Sequence, residues 1–413
     1  MELNERNGKL CVGDASFEEI AERFGTPFYL YDLDGVRERA AAVKQAFGQG
    51  IELLFAVKAN PNTELLRGIR DSVDGLDIAS TGELHRALEA GFRPDTISFA
   101  GPGKTRAELR ESLRLGVGII SVESVRELRD LKELSETEGV RAPVTIRINP
   151  ALTVKEFAVK MGGKATQFGI DEEDAGEAAD FIKGNPHCFD VLGIHVYAGT
   201  QCLDEQALAA GLADTLRIAA EMRERHGIEC RAINVGGGFG VSYYDEGRAL
   251  DLGLLARLST DELDRYRRET GTNPRFLLEL GRYLVAEAGI YVARVVSEKR
   301  SRGEQFYVLD GGMNHHLAAS GNLGATLRKN YLVRNLSRPG AEKKTCTLVG
   351  PLCTPLDLMG KGVTVESPEV GDLVGFLNSG SYGYSASPLL FLGHEPPKEI
   401  IGFGGSLKVD DAE

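Results

Sequence analysis

Cysteine is scarce and poorly placed for cross-linking. The six cysteines (Cys11, Cys188, Cys202, Cys230, Cys346, Cys353) are scattered over 413 residues with no C-x-x-C pair, which speaks against a disulfide scaffold and a zinc ribbon. The seven histidines lack the i, i+4 spacing with glutamate that binds metal on a helix, and the adjacent His315 and His316 would face opposite ways on a strand. No resident metal is expected. Apolar runs of about eighteen residues are missing, so no membrane partner is expected. The start Met1-Glu2-Leu3-Asn4-Glu5-Arg6 has no signal-peptide pattern, and the expectation is a soluble, cytoplasmic protein. Positive charge is outnumbered: 48 Lys and Arg face 61 Asp and Glu, a net charge of −13, which argues against nucleic acid as a partner. No internal repeat or low-complexity tract occurs. The length is sufficient for a large core and two domains, and the polar tail 408–413 is expected to fray.

What is present is a series of short, β-branched runs bounded by Gly, Pro, Asn or Ser. They fall at 51–58, 75–80, 96–101, 119–123, 144–149, 191–199, 232–238 and 276–281, with amphipathic helical patterns between them at 81–90, 105–115, 124–136 and 205–226. Eight strand–helix units predict an α/β fold of the (β/α)8 TIM-barrel type, whose chemistry lies at the carboxyl ends of the strands. A doubly wound open sheet fits the same periodicity.

The predicted strand ends carry Lys58, Asp77 with Ser80, Gly101, Glu123, Arg147 with Asn149, Tyr197 with Thr200, Gly236-Gly237-Gly238, and Glu279 with Arg282. A packed barrel interior is built from branched apolar side chains, so polar residues and glycines here point to a site. Lys58 closes the apolar run Leu53-Leu54-Phe55-Ala56-Val57. Desolvation disfavours its ammonium, and a neutral amine condenses with aldehydes; the plainer alternative is a lysine capping a solvated strand end. Glycines let backbone N–H groups approach an anion, although the same run also suits a tight turn. The Thr200 hydroxyl suits a phosphate or a helix cap. Glu279 is either a functional acid or the salt-bridge partner of Arg282.

An amine, a phosphate cradle and an acid for a ring nitrogen are what pyridoxal 5'-phosphate requires of a protein. The motifs Phe55-Ala56-Val57-Lys58-Ala59-Asn60, Asp77-Ile78-Ala79-Ser80, Gly236-Gly237-Gly238-Phe239-Gly240, Glu279-Leu280-Gly281-Arg282, Gly350-Pro351-Leu352-Cys353 and Ser379-Gly380-Ser381-Tyr382-Gly383 resemble, in order and over almost the whole chain, the fold-type III pyridoxal-phosphate decarboxylases, the ornithine/diaminopimelate decarboxylase family. The resemblance implies that Lys58 carries the cofactor on its amine. It also implies that Gly237, Gly238, Gly281 and Arg282 receive the phosphate with Thr200 and Tyr382, and that Glu279 meets the ring nitrogen. Asp77 and Arg147 would lie close by. Cys353 would come from the other subunit of a homodimer with shared active sites and supply a proton after carbon dioxide leaves.

Departures from the better-known members narrow the expectation. The family's stacking histidine is Tyr197 here, whose ring can still stack; His195, two residues earlier on the same strand face, reads as structural. No acid follows Cys353, the nearest being Asp357, and the usual distal-carboxylate clamp is replaced by a run beginning Asp310-Gly311-Gly312-Met313-Asn314. These features resemble a side branch of the family acting on modified amino acids, which includes the butirosin-pathway glutamyl–carrier-protein decarboxylase. The stretches carrying that likeness are His195-Val196-Tyr197-Ala198-Gly199-Thr200-Gln201, Lys160-Met161-Gly162-Gly163 and Pro351-Leu352-Cys353-Thr354-Pro355. The expected activity is loss of the α-carboxylate from an amino acid or a derivative, carrier-bound glutamate included, with Asp357, Arg328 and Lys329 as candidate substrate contacts. A free diaminopimelate- or ornithine-type substrate, a catalytically silent regulatory homologue and a racemase-like isomerase are the competing readings. Racemases of this kind pair the ring nitrogen with arginine, which Glu279 disfavours.

Past 288 the pattern turns to alternating strands at 290–296, 305–309, 345–349 and 373–377, with 9–12 expected to join them. The expected division is a barrel over 27–285 and a second domain, a β-sandwich or β-barrel, from 1–26 plus 286–413.

Overall fold

The computed structural model describes residues 1, 3–6, 8–151, 159–160, 163–244, 249–322 and 329–409. The chain divides into two compact units. One comprises Arg39–Val241 and Ala249–Tyr283, the other Met1–Glu38, Ser242–Arg248 and Leu284–Glu413.

The first unit is a closed parallel barrel of eight strands: β1 (Glu52–Ala56), β2 (Gly75–Ile78), β3 (Ile97–Phe99), β4 (Ile119–Val122), β5 (Ala142–Asn149), β6 (Phe189–Val196), β7 (Ala232–Gly237) and β8 (Arg275–Leu280). Each pairs in parallel with the next, and β8 closes on β1. Closure excludes the open sheet. Helices intervene at Thr63–Ile69, Thr81–Glu89, Arg106–Leu115, Val125–Glu138, Ala175–Lys183, Glu205–His226 and Leu252–Thr270. Local chemistry sets their starts. Asn62, Ser80, Thr105, Ser124, Asp204 and Asp251 each accept a first-turn backbone N–H, satisfying donors that helix geometry leaves unpaired.

Side-chain alternation and register together reveal the barrel lumen. Leu54, Ile119, Ala232 and Leu277 form one buried cluster although they come from β1, β4, β7 and β8. β4 neighbours none of the other three strands in the sheet, so the membership of Ile119 places these residues inside. Residues two positions further along point the same way. Carried round the barrel by register, the inward set becomes Asp77, Ser98, Ser121, Thr145, Arg147, His195, Asn234 and Glu279. All eight are buried. The amino end of the barrel is thus packed with apolar residues, and the carboxyl end is lined with polar ones.

The second unit is built from both chain ends around a nine-stranded sheet whose long strand Gly289–Ser301 pairs with Phe28–Asp32, Glu304–Leu309 and Leu373–Phe376. Phe28–Asp32 corrects the 27–285 boundary: it pairs with Gly289–Ser301 and Lys398–Phe403, not with any barrel strand. Four of its five residues are buried, so it shows no alternation and does not read as a half-exposed strand. Val333–Asn335, Leu358–Glu366, Lys398–Phe403 and Ser406–Val409 were likewise not expected as strands; Gly360, Lys361 and Gly362 break the pattern of the second. Lys408 and Val409, expected to fray, pair with Ile401 and Ile400. Lys9–Val12 lies in a small sheet of its own with Asn4–Arg6 and Ala15–Ser16.

Candidate active site

Lys58 lies two residues beyond the last residue of its strand rather than on the strand end. β1 stops at Ala56, and Val57–Ala59 is a single 3-10 turn. The side chain is 43% exposed rather than buried, and its Nζ donates to Asp77 Oδ2 at 3.3 Å. Exposure at the strand end lets the ammonium stay hydrated, so the premise of a desolvated lysine does not hold here. Its Nζ also lies 5.6 Å from the centroid of the Tyr197 ring. The structure therefore brings together the amine, an acid and an aromatic face from β1, β2 and β6.

Glu279 is fixed from two sides. Asn234 Nδ2 donates to its Oε1, and His195 Nε2 lies 3.5 Å from its Oε2. Beyond His195, Nδ1 meets Ser121 Oγ at 3.0 Å, and Ser121 Oγ meets Thr145 Oγ1 at 2.9 Å. Arg147, His195 and Asn234 share one register level on β5, β6 and β7, which explains why they meet. The register shifts between Asn234 and Gly237 on β7. Gly236 there has φ +67°, and a Cβ on Gly237 would stand 1.8 Å from the Glu279 carbonyl oxygen. Only glycine fits so close an approach.

Burial, the largest influence, and the charge of Glu279 push the Asp77 carboxyl up to about 8, against the pull of Lys58. Burial also pushes Glu279 up, but His195, Lys58 and the Asn234 amide outweigh it and hold the carboxyl below its ordinary range. Two acids in one barrel lumen are thus pushed in opposite directions, Glu279 towards the anion and Asp77 towards the protonated form. Asp77 Oδ1 and the neighbouring Ser98 Oγ are buried without hydrogen-bond partners among the described residues.

Arg147 is bound to Glu123 at 2.6 Å, and both are buried. Glu123 also accepts the N–H groups of Gly101 at 2.7 Å and Gly169 at 3.0 Å, tying three rim loops together; Arg147 lies 5.0 Å from the Phe168 ring centroid. The Thr200 segment runs beside the glycine loop. Cys202 N–H donates to the Gly238 carbonyl at 3.0 Å, and Gln201 exchanges two hydrogen bonds with the backbone of Val241. At the end of β8, a Cβ on Gly281 would lie 2.7 Å from Ala59 Cβ, so the Gly281-Arg282 turn packs against the Lys58 turn. Sequence reasoning gave no role to Glu123, which stands at a predicted strand end, or to Asn234 and Gln201, which lie within or beside the motif runs. Asparagine and glutamate at strand ends were the available signal, but pairing across the lumen is a matter of register.

In the second unit, Cys353 is exposed on a loop closed by Asp357. Asp357 is buried and accepts the N–H groups of Met313 at 2.7 Å and Leu352 at 2.8 Å. Its carboxylate therefore serves as a loop staple, a different part from the substrate contact expected of it. Tyr382 is held at φ +53°, a conformation that a non-glycine residue adopts only under constraint. Around it, Ser379 Oγ meets His316 Nε2, and Ser381 Oγ meets the Tyr243 hydroxyl, both at 2.8 Å. Lys329 Nζ lies 5.4 Å from the Tyr244 ring centroid, while Arg328 and the 161–162 part of the Lys160 motif lie outside the described residues.

The residues at the barrel mouth fit pyridoxal phosphate: a lysine amine beside an aromatic face, a buried carboxylate held anionic, and a glycine loop in which side chains would collide. Comparison with known proteins agrees. Residues 33–286 match the pyridoxal-binding domain of pyridoxal-dependent decarboxylases, and the chain belongs to that family. It is 40% identical over 402 residues, 96% of this chain and 94% of the other, to the L-glutamyl-[BtrI acyl-carrier protein] decarboxylase of Niallia circulans. It is 32% identical to the diaminopimelate decarboxylase of Zymomonas mobilis, over 93% and 91% of the two chains. Among solved structures, Helicobacter pylori diaminopimelate decarboxylase complexed with L-lysine superposes with a TM-score of 0.86 at 29% identity, covering 96% of each chain. The M. jannaschii diaminopimelate decarboxylase gives 0.90 at 26% identity, covering 99% of this chain and 94% of that one. Among the described residues, no helix is long and apolar enough to cross a membrane.

Proposed function

We propose that this enzyme removes the α-carboxylate of glutamate carried on an acyl-carrier protein. The observation carrying the reading is the 40% identity, over nearly the full length of both chains, to a decarboxylase of that substrate. Two sequence features support it. The acid that diaminopimelate decarboxylases place after the cysteine is absent, and Asp310-Gly311-Gly312-Met313 stands where their distal clamp would be. Loss of the α-carboxylate needs a free α-amino group, so the tether has to be the side-chain carboxyl. A carrier thioester there removes the distal charge that a clamp would read.

When bound, pyridoxal phosphate supplies the electron sink for the pair left at Cα as carbon dioxide departs. The chain's own residues do the rest. Lys58 would hold the cofactor through its Nζ, with Tyr197 beside it. Glu279, kept anionic, would serve the ring nitrogen. Gly237, Gly238, Thr200, Gly281 and Arg282 would bind the phosphate, and Arg147, fixed by Glu123, stands in the same barrel lumen. Asp77 orients Lys58 and holds a proton beside it. Cys353, exposed and reaching the site from the partner subunit of a homodimer, delivers a proton to Cα.

The test is a mass-spectrometric assay of carbon dioxide loss from glutamyl–carrier protein, free glutamate, diaminopimelate and ornithine. Turnover of the tethered substrate alone is expected. Preference for a free diamino acid, the reading favoured by 32% identity to diaminopimelate decarboxylases, would replace the carrier assignment. No turnover of any of them would leave a silent homologue.

A further inference from the structure

We infer that Glu136, His187 and Cys188 form a transition-metal site of the zinc type at the end of the barrel opposite Lys58. Among the described residues, these three bring a carboxylate oxygen, an imidazole nitrogen and a thiol sulfur within 4.8 Å of one another. His187 Nε2 lies 3.6 Å from Glu136 Oε1, and Cys188 Sγ lies 3.8 Å from the same oxygen. Zinc bonds to oxygen, nitrogen and sulfur of about 2.0–2.3 Å, arranged tetrahedrally, separate neighbouring ligand atoms by roughly 3.3–3.8 Å. The two edges that meet at Glu136 Oε1 fall within that range. Three protein ligands leave the fourth position to water.

The framework is rigid where it matters. Glu136 sits in the last turns of the helix Val125–Glu138, which leads into β5, and His187 and Cys188 directly precede β6. The Cys188 N–H donates to the Asn185 carbonyl at 3.0 Å, and its carbonyl accepts the Ala142 N–H at 2.8 Å. The ligand turn is thus fastened to the first residue of β5. Lys132 Nζ also reaches Glu136 Oε1, at 3.0 Å. It is an exposed i, i+4 partner on the same helix, and such pairs contribute little, so a metal ion can take its place. A thiolate with an imidazole and a carboxylate suits zinc better than magnesium or calcium, which take oxygen ligands. Binding forms the metal–sulfur bond and releases the Cys188 thiol proton to solvent, with no change in oxidation state. The ion then clamps the helix Val125–Glu138 to the start of β6, and this role is independent of substrate and cofactor.

Cobalt(II) titration of the purified, metal-free protein tests the site, because a cobalt–thiolate bond gives a near-ultraviolet charge-transfer band. One equivalent is expected to produce the band, zinc to bleach it, and zinc to raise the melting temperature. His187→Ala and Glu136→Gln, both at exposed positions, should bind cobalt at least about tenfold more weakly. Cys188→Ser should lose the band, and Cys353→Ser should keep it. No band in the natural protein, or a band that survives Cys188→Ser or disappears with Cys353→Ser, overturns the inference. If Cys188→Ser fails to fold, unchanged cobalt affinity in both exposed variants overturns it equally.

Discussion

His195 Nε2 lies 3.5 Å from Glu279 Oε2, and both side chains are buried, at 1% and 2% exposure. The histidine is in turn held through Nδ1 by Ser121. A buried carboxylate without a partner would take up a proton, and a neutral acid could not keep a ring nitrogen charged. On the proposed role of Glu279, His195 is a positioning residue that acts through it, two residues before Tyr197.

Replacing His195 by Gln should keep the fold but remove the imidazole beside Glu279. A change of about 1–3 kcal/mol in the surroundings of a buried carboxylate is roughly a five- to 150-fold fall in kcat/KM. A merely structural role would lower the melting temperature without touching the cofactor. The expected signature is different: a changed 15N chemical shift of the bound cofactor's ring nitrogen at unchanged melting temperature. An unaltered shift would remove His195 from the electrostatics of the site.

Lys58→Ala should abolish the borohydride-reducible link between protein and cofactor. Peptide mapping of the reduced natural protein checks the assignment directly. Recovery of the label on another lysine, such as Lys160, would contradict it.

Cys353→Ala should bind cofactor normally but turn over slowly, or send the proton to the cofactor instead of Cα and yield an abortive transamination product. If Lys58 and Cys353 serve one site from two subunits, mixing the two inactive variants regenerates activity. Random exchange makes about half of the dimers hybrid, each with one intact site, so roughly a quarter of the natural activity should return. Proven subunit exchange without recovery would place both residues in one chain's site.

Asp77 gives a pH dependence whose sign can be worked out. Its carboxyl is raised from an ordinary 3.8 to about 8 in the fold, chiefly by burial and by Glu279. Between those values the folded protein binds a proton that the unfolded chain does not. Its contribution to stability is therefore present below about 3.8 and is lost as pH rises towards 8. The melting temperature of cofactor-free protein should fall with pH across that window, and Asp77→Asn should flatten this part of the slope. Parallel curves for the two proteins would show that Asp77 does not carry the proton.

Arg328 and Lys329 bear on the carrier reading. Neutralising both should weaken capture of a tethered substrate, most at low salt, where charges attract over longer distances. Turnover at saturation should hold, because such contacts lie away from the reacting bond. An efficiency unchanged across a salt series would assign the pair to the solvated surface.

The eight barrel strands, their order and the motif residues on their ends were legible in the sequence. A parallel strand is specified by its own run of branched apolar residues, and the break to loop is written in Gly, Pro, Asn and Ser. The helix starts are equally local, each resting on one capping side chain such as Asn62 or Asp251. What the sequence could not determine is which side chains face one another. Asn234 and His195 become partners of Glu279 only because β6, β7 and β8 close in a particular register. Asp357, next in line to Cys353 on paper, spends both oxygens on backbone amides. Phe28–Asp32 was not legible as part of the second sheet, because a strand buried on both faces carries no alternation to announce its sheet. Local propensity determined the elements of this protein; register and closure, which depend on pairing between distant segments, decided the electrostatics of its site.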